Sequence, residues 1–406
     1  MNKDQVNIIC FSSQNWDNDL WTNKQHIMSR LARRGFRVLY VNKGKESIGK
    51  YVRKGSLRGV KELDVNLQLA HSFRIPLRKL SRKFEYYNDF GLKVDLVKRY
   101  VSTCEGSVVL WVYHPGYGQY LRRIKRNCFV LYDCVDDYAT FPEYEREDLR
   151  VWIQESEAVL LEVADLVVTS SANLYEEKRL LNKNTHLIHN VGDFEHFNRV
   201  EKESFSLPDL LRATRVPRIG FYGAISNHKV DLELIRRIAV ERPEWSVCLM
   251  GPIGVGDKET DVSKLAELAN VTLTGKIDYS EMPAHLTHMD VLMIPYRITK
   301  HTKSVFPIKF FECLATGKPL VITPLPALEE YYPYVKVGQT SSEFLRHVED
   351  CLRSDSPEPR NKRIKLSEKN DWDARIDRIL GKIAETGFVN PGSRDFLEAR
   401  SVNTEQ

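Results

Sequence analysis

No apolar run in the chain approaches the roughly 20 residues that a helix needs to cross a bilayer. The first residues also lack the basic stretch and long apolar core of a secretory leader. A soluble or peripheral protein on the cytoplasmic side is expected. The seven cysteines (Cys10, Cys104, Cys128, Cys134, Cys248, Cys313 and Cys351) form neither a Cys-x-x-Cys pair nor metal-type spacing. Several sit inside apolar runs, where a thiol packs as a small hydrophobe, so reduced thiols are expected. Zinc-finger, RRM and basic-zipper signatures are missing, which argues against nucleic acid as a partner. Short-period repeats and long low-complexity tracts are missing too. What remains is 406 residues, 42% of them hydrophobic, more than one core usually serves. Two domains of ordinary size are the expectation.

The formal charge of +5 conceals an asymmetry: residues 24–99 carry 20 Lys/Arg against 6 Asp/Glu, whereas 133–165 carry 2 against 11. An anionic partner would dock on the first half. The basic, partly apolar segment 73–84 suits an anionic membrane surface. A solvated basic face with its apolar residues turned to the core is the equal alternative.

Short apolar runs alternate with helical stretches, the pattern of parallel strands joined by crossover helices. In the first half the runs are 6–11, 38–41, 108–112, 129–132 and 166–169; in the second they are 218–222, 247–250, 271–273, 291–294 and 320–323. Residues 24–34 place Ile27, Leu31 and Ala32 at helical spacing before Gly35, a C-cap signal. Residues 44–100 are irregular in pattern and 143–165 are acidic and helix-prone. The fold class expected is α/β, two Rossmann-like doubly wound domains. The boundaries are 1–200 and 201–370, a C-terminal helix over 371–390 that crosses back, and a frayed tail over 391–406.

Ligands of doubly wound sheets bind beyond the carboxyl ends of strands. The most informative stretch there is Ser304-Val-Phe-Pro-Ile-Lys-Phe-Phe-Glu-Cys-Leu-Ala-Thr-Gly-Lys-Pro-Leu-Val321. Pro307 fits a first helical position, and a helix start can receive a diphosphate. Lys309 and Glu312, three apart, share a helix face, offering a cation for phosphate and a carboxylate for the two hydroxyls of a ribose. An ordinary amphipathic helix with a surface Lys–Glu pair explains the spacing equally well.

Pro-x-Lys-x-x-Glu-x-x-Ala-x-Gly-Lys-Pro resembles the donor-site helix of GT-B glycosyltransferases related to sucrose and glycogen synthases and bacterial mannosyltransferases. More specifically, the chain resembles the bacterial cell-wall branch, teichuronic-acid-type or related polysaccharide transferases. The similarity runs from Ile8 to about Leu380 and includes Leu131–Pro142, Ala164–Ser171, Ile219–Ile225, Leu249–Pro252, Asp290–Pro295 and Asp371-Trp-Asp-Ala-Arg375.

The resemblance implies two domains facing a cleft and transfer of a sugar from a nucleoside diphosphate, with retained anomeric configuration and no dedicated protein nucleophile. It implies a ribose ligand in Glu312, and diphosphate and sugar at the backbone of Ser304, Val305, Phe306 and Pro307. It implies close approach of the diphosphate at Gly223, phosphate neutralisation by Lys229, and base recognition near Ile277. His114 is implied as a contact to sugar or acceptor, although a histidine after a strand is structural at least as often. The chain departs from the pattern twice: Ala224 replaces a common arginine, for which Lys309 is the candidate substitute, and Ser304 replaces a glutamate that contacts the transferred sugar.

Asp133, Asp136 and Asp137 follow a strand and are candidates to steer or deprotonate an acceptor hydroxyl; capping of the acidic helix that follows is the alternative. Their spacing is not Asp-x-Asp, and no metal or other cofactor is expected. The partners expected are a nucleotide sugar, a saccharide or lipid-linked saccharide acceptor and an anionic membrane surface. Ser304 and Ala224 leave open a rival, a scaffold that has lost transfer and serves as a membrane-associated assembly protein. A non-hydrolysing epimerase is a second rival, although nothing here resembles that family's catalytic residues.

Overall fold

A computed structural model describes residues 5–18, 20–47, 60–74, 82–124 and 128–388. Residues 75–81 of the basic segment 73–84, and the tail 391–406, lie outside them. The chain forms two compact units, Met1–His189 with Arg375–Gln406, and Asn190–Ala374.

The first unit is built on an eight-stranded sheet. Strand β1 (Val6–Phe11) is buried along its whole length, as expected of a strand covered on both faces. It pairs in parallel with β2 (Arg37–Ser47) on one side and β5 (Ser107–Val112) on the other. Beyond β5 come β6 (Phe129–Cys134), β7 (Leu166–Thr169) and β8 (Thr185–Leu187). Beyond β2 lie β4 (Leu67–Arg74) and, at the edge, β3 (Val60–Asp64). The order is β3-β4-β2-β1-β5-β6-β7-β8, parallel except for the antiparallel pair β3/β4. That hairpin falls within residues 44–100, whose sequence pattern is irregular because β3 is mostly exposed.

The second unit has six parallel strands: β9 (Arg218–Tyr222), β10 (Ser246–Met250), β11 (Val271–Gly275), β12 (Val291–Ile294), β13 (Leu320–Ile322) and β14 (Lys336–Val337). Their order is β11-β10-β9-β12-β13-β14. The helix Leu232–Glu241 buries Leu234, Ile235, Ile238 and Ala239, one helical stripe, and Asp231 caps it by accepting from the Leu234 N–H at 2.9 Å.

In each unit the first strand lies between neighbours reached by winding in opposite directions: β1 between β2 and β5, and β9 between β10 and β12. These are topological switch points, where open α/β sheets bind ligands beyond the strand carboxyl ends. The helix Trp372–Glu385 starts in the second unit and from Arg375 onward belongs to the first. No helix among the described residues is long and apolar enough to cross a membrane.

Candidate active site

At the switch point of the second unit, β9 ends on Tyr222 and the chain turns at Gly223, whose φ is +114°. A side chain is strained at that angle. The neighbouring β10 is followed by Gly251, φ +149°, where an added Cβ would meet the Gly223 carbonyl oxygen at 2.1 Å. Two glycines therefore let two strand ends close up, with the Gly223 N–H donating to the Met250 carbonyl at 2.8 Å. Space above Gly223 belongs to Lys309: a Cβ there would lie 2.8 Å from its Nζ. That ammonium donates to Tyr296 Oη at 2.7 Å and sits 5.2 Å from the ring centroids of both Phe221 and Tyr296. Aromatic faces attract a cation and hold it in place.

Glu312, one turn on, is buried, and its Oε2 accepts from Tyr222 Oη at 2.8 Å. Burial raises its pKa to about 7; the Tyr222 hydrogen bond lowers it, the Asp193 charge raises it and the Lys309 charge lowers it. Hydroxyl donors that reach a buried carboxyl favour its ionised form. Asp193 also accepts from Tyr279 Oη at 3.2 Å, and Tyr279 stacks on His196 with centroids 4.3 Å apart. The preceding Gly192 packs so closely that a Cβ would stand 2.7 Å from the Glu312 nitrogen. Ile277 is buried in the loop between β11 and Tyr279.

The helix carrying these residues runs Lys309–Ala315 with Ile308 as N-cap, so Pro307 stands before the first turn. Ser304, Val305 and Phe306 are buried. The N–H groups of Ser304 and Val305 close a short 3₁₀ turn by donating to the carbonyls of His301 and Thr302, and Asn190 Nδ2 holds the Phe306 carbonyl at 2.9 Å. Lys229 is half-buried on the turn after Gly223, its carbonyl fixed by the Arg297 N–H at 2.8 Å. The pKa of His301 falls to about 3 through burial, then the charge of Lys229 and of His228. Lys309 therefore stands over the Gly223 turn, and the charge of Lys229, six residues on, is felt at His301. Tyr222 ends β9 and Tyr296 stands two residues past the end of β12, and those places at strand ends are the sequence signal for both.

In the first unit His114, after β5, is buried. Its Nδ1 accepts from the Gly116 N–H at 3.0 Å, which leaves Nε2 protonated and 3.1 Å from Tyr144 Oη. Burial, then the charges of Lys43, Lys93 and Lys24, hold its pKa well below 6.5, so the ring is neutral with both nitrogens engaged. Asp133 is fully buried and committed: Oδ1 accepts from Arg375 at 2.8 Å and Oδ2 from Trp111 Nε1 at 3.1 Å. Arg375 in turn donates Nε to the His189 carbonyl at 3.1 Å. Asp133 and Arg375 stand in separate sequence motifs, and the fold pairs them. Asp137 accepts from the Ala139 N–H at 3.2 Å and caps the 3₁₀ turn Tyr138–Thr140, while burial raises its pKa. Asp136 is half-buried beside it.

Residues 216–353, most of the second unit, match the family Glycosyl transferases group 1. TuaH of Bacillus subtilis (strain 168), a glycosyltransferase by name assigned to teichuronic acid biosynthesis, is 30% identical over 289 residues, 67% of this chain and 70% of TuaH. Among solved structures, sucrose-phosphate synthase from Thermosynechococcus elongatus aligns at TM-score 0.69 and 15% identity over 95% of this chain and 99% of its own. Trehalose 6-phosphate synthase from Burkholderia multivorans gives 0.68 and 10% over 94% and 99%, and Anabaena HepE in complex with UDP gives 0.64 and 12% over 94% and 100%. Those likenesses carry the fold, the TuaH match carries descent, and the chain accordingly belongs to the group 1 glycosyltransferases of GT-B architecture.

Proposed function

We propose that this glycosyltransferase moves a sugar from a nucleoside diphosphate onto a saccharide or lipid-linked saccharide in cell-surface polysaccharide synthesis. The observation that carries the reading is the set of Gly223, Lys309, Glu312 and Tyr222 at the carboxyl end of β9: an ammonium above a glycine turn with a carboxyl one helical turn away. The UDP bound in Anabaena HepE and the teichuronic acid assignment of TuaH support donor class and product class.

In this reading Glu312 accepts the ribose hydroxyls, Ile277 lies nearest the base, and Ser304, Val305, Phe306 and Pro307 border the transferred sugar. Lys309 and Lys229 neutralise the diphosphate as the bond from the anomeric carbon to phosphate oxygen breaks. Preorganised charge is the largest contribution a protein makes to such a step, and no metal is required for it. The acceptor oxygen bonds to the anomeric carbon on the same face, its proton passes to a donor phosphate oxygen, and the nucleoside diphosphate leaves. The first unit supplies the acceptor side, with Asp136 and Asp137 nearest in chemistry to an acceptor hydroxyl; His114 and Asp133 shape that side through the bonds described above. The basic first half brings the enzyme to the inner face of an anionic membrane.

Incubating the protein with UDP-, GDP-, ADP- and dTDP-sugars and a lipid extract tests this. Incorporation of label from one donor, with an anomeric proton coupling that matches the donor, is expected. Product of inverted configuration overturns the mechanism, and no product from any donor overturns the reading. Flotation with liposomes tests the membrane clause: indifference to anionic lipid contradicts it.

A further inference from the structure

The segment after β1 carries two tryptophans that the core does not take. Trp16 and Trp21 are both half-buried, their ring centroids 5.5 Å apart at 61°. Trp16 stands edge-on to Tyr40 at 5.1 Å and Trp21 edge-on to His26 at 5.4 Å. Side-chain hydrogen bonds hold this irregular backbone. Asn42 Oδ1 accepts from the Trp16 N–H at 2.8 Å, Thr22 Oγ1 donates to Gln14 Oε1 at 2.8 Å, and Gln25 Nε2 donates to the Asn15 carbonyl at 3.0 Å. Ser12 Oγ and Tyr40 Oη lie 2.6 Å apart at the base of the segment. The backbone that carries the two indoles is therefore held in place.

Their location is the switch point of the first unit. The segment leaves the carboxyl end of β1, and Tyr113, just past β5, donates its N–H to the Phe11 carbonyl at 3.1 Å. Burying a large apolar side chain fully is favourable, and two adjacent indoles left partly exposed on a polar segment forgo part of that. An occupant that covers their faces recovers it. A pyranose ring has the matching chemistry: one face of C–H groups that packs on an indole, and hydroxyls at its rim for amides such as Gln14 and Asn15. Rigid aromatic surface beside amide groups is how proteins bind amphipathic ligands at low entropic cost.

We propose that Trp16 and Trp21 form the saccharide subsite of the acceptor, stacking one pyranose ring at the carboxyl end of β1. The proposal rests on the transferase reading, and its test separates the two. The full-length protein is titrated with the methyl glycosides of glucose, N-acetylglucosamine, N-acetylgalactosamine and glucuronic acid while tryptophan emission is followed. The same is done for Trp16→Leu, Trp21→Leu, Trp16→Phe and Trp21→Phe, with the thermal shift by UDP, GDP, ADP and dTDP measured on each.

A saturable change with at least one glycoside is expected in the wild type. Affinity should fall about tenfold in the Leu variants and stay close to wild type in the Phe variants, which keep a ring face, with nucleotide stabilisation equal in all five proteins. The absence of any saturable response in wild type overturns the proposal. So does unchanged binding in the Leu variants. Loss of glycoside binding in the Phe variants as well assigns the pair a structural role and likewise overturns it. Failure of every nucleotide to stabilise the wild type contradicts the donor reading instead, and the glycoside titration is read independently of it.

Discussion

The candidate site of the second unit comes down to a few side chains whose properties are set by burial. Glu312 titrates near 4.5 in an unfolded chain and near 7 in the fold. Because the folded state keeps a proton that the unfolded chain has lost, the stability associated with it is complete below pH 4.5 and lost as pH rises to 7. Glu312→Gln cannot lose that proton and its amide oxygen still accepts from Tyr222. Thermal melts across pH should therefore show the variant gaining on wild type through this window, by on the order of 3 kcal/mol above pH 7; a constant difference contradicts the assignment. Lys309→Met removes the ammonium over Gly223 but keeps the stem, and should lower kcat/KM about a hundredfold or more while melting near wild type. Gly223→Ala forces a Cβ against Lys309 Nζ at a φ of +114°. A loss of about 1–2 kcal/mol in denaturant unfolding, together with weaker nucleotide binding, is expected.

At the scale of elements, the strands that build the two sheets were legible because parallel strands buried on both faces appear as unbroken apolar runs. Strands β1, β5, β6, β7, β9, β10 and β12 all announce themselves this way. The strands that escaped are those whose burial is partial or brief: β3 is exposed along most of its length, β4 mixes buried with half-buried residues, and β8 and β14 are three and two residues long. Lys309 and Glu312 were legible because a helix puts residues three apart on one face. Tyr222, Tyr296 and Arg375 were not, because their roles arise from contacts with residues 90, 13 and 242 positions away. The helix Trp372–Glu385 depends on such a contact. Arg375→Met leaves Asp133 charged in a site of zero exposure, which should cost about 3–5 kcal/mol; pairing it with Asp133→Leu should restore a large part. Losses in the double variant that equal the sum of the two single losses would show that the two side chains do not interact.

Taken as a whole, the molecule has a second unit that is continuous in sequence and a first unit that needs the chain's return at Arg375. Ending the chain at residue 374 should therefore destabilise the first unit and leave nucleotide binding by the second, giving two separate unfolding transitions of which only one responds to nucleotide. A single transition at the wild-type temperature contradicts that division. The central claim, that the β9 switch point is a nucleotide-sugar site, is tested most directly by isothermal titration of the wild type and Glu312→Ala with UDP, GDP, ADP and dTDP and their common sugars. The account predicts saturable binding of one nucleotide sugar to wild type, weakened at least about tenfold by the substitution. Binding of equal affinity in both proteins, or none to the folded wild type, would contradict it.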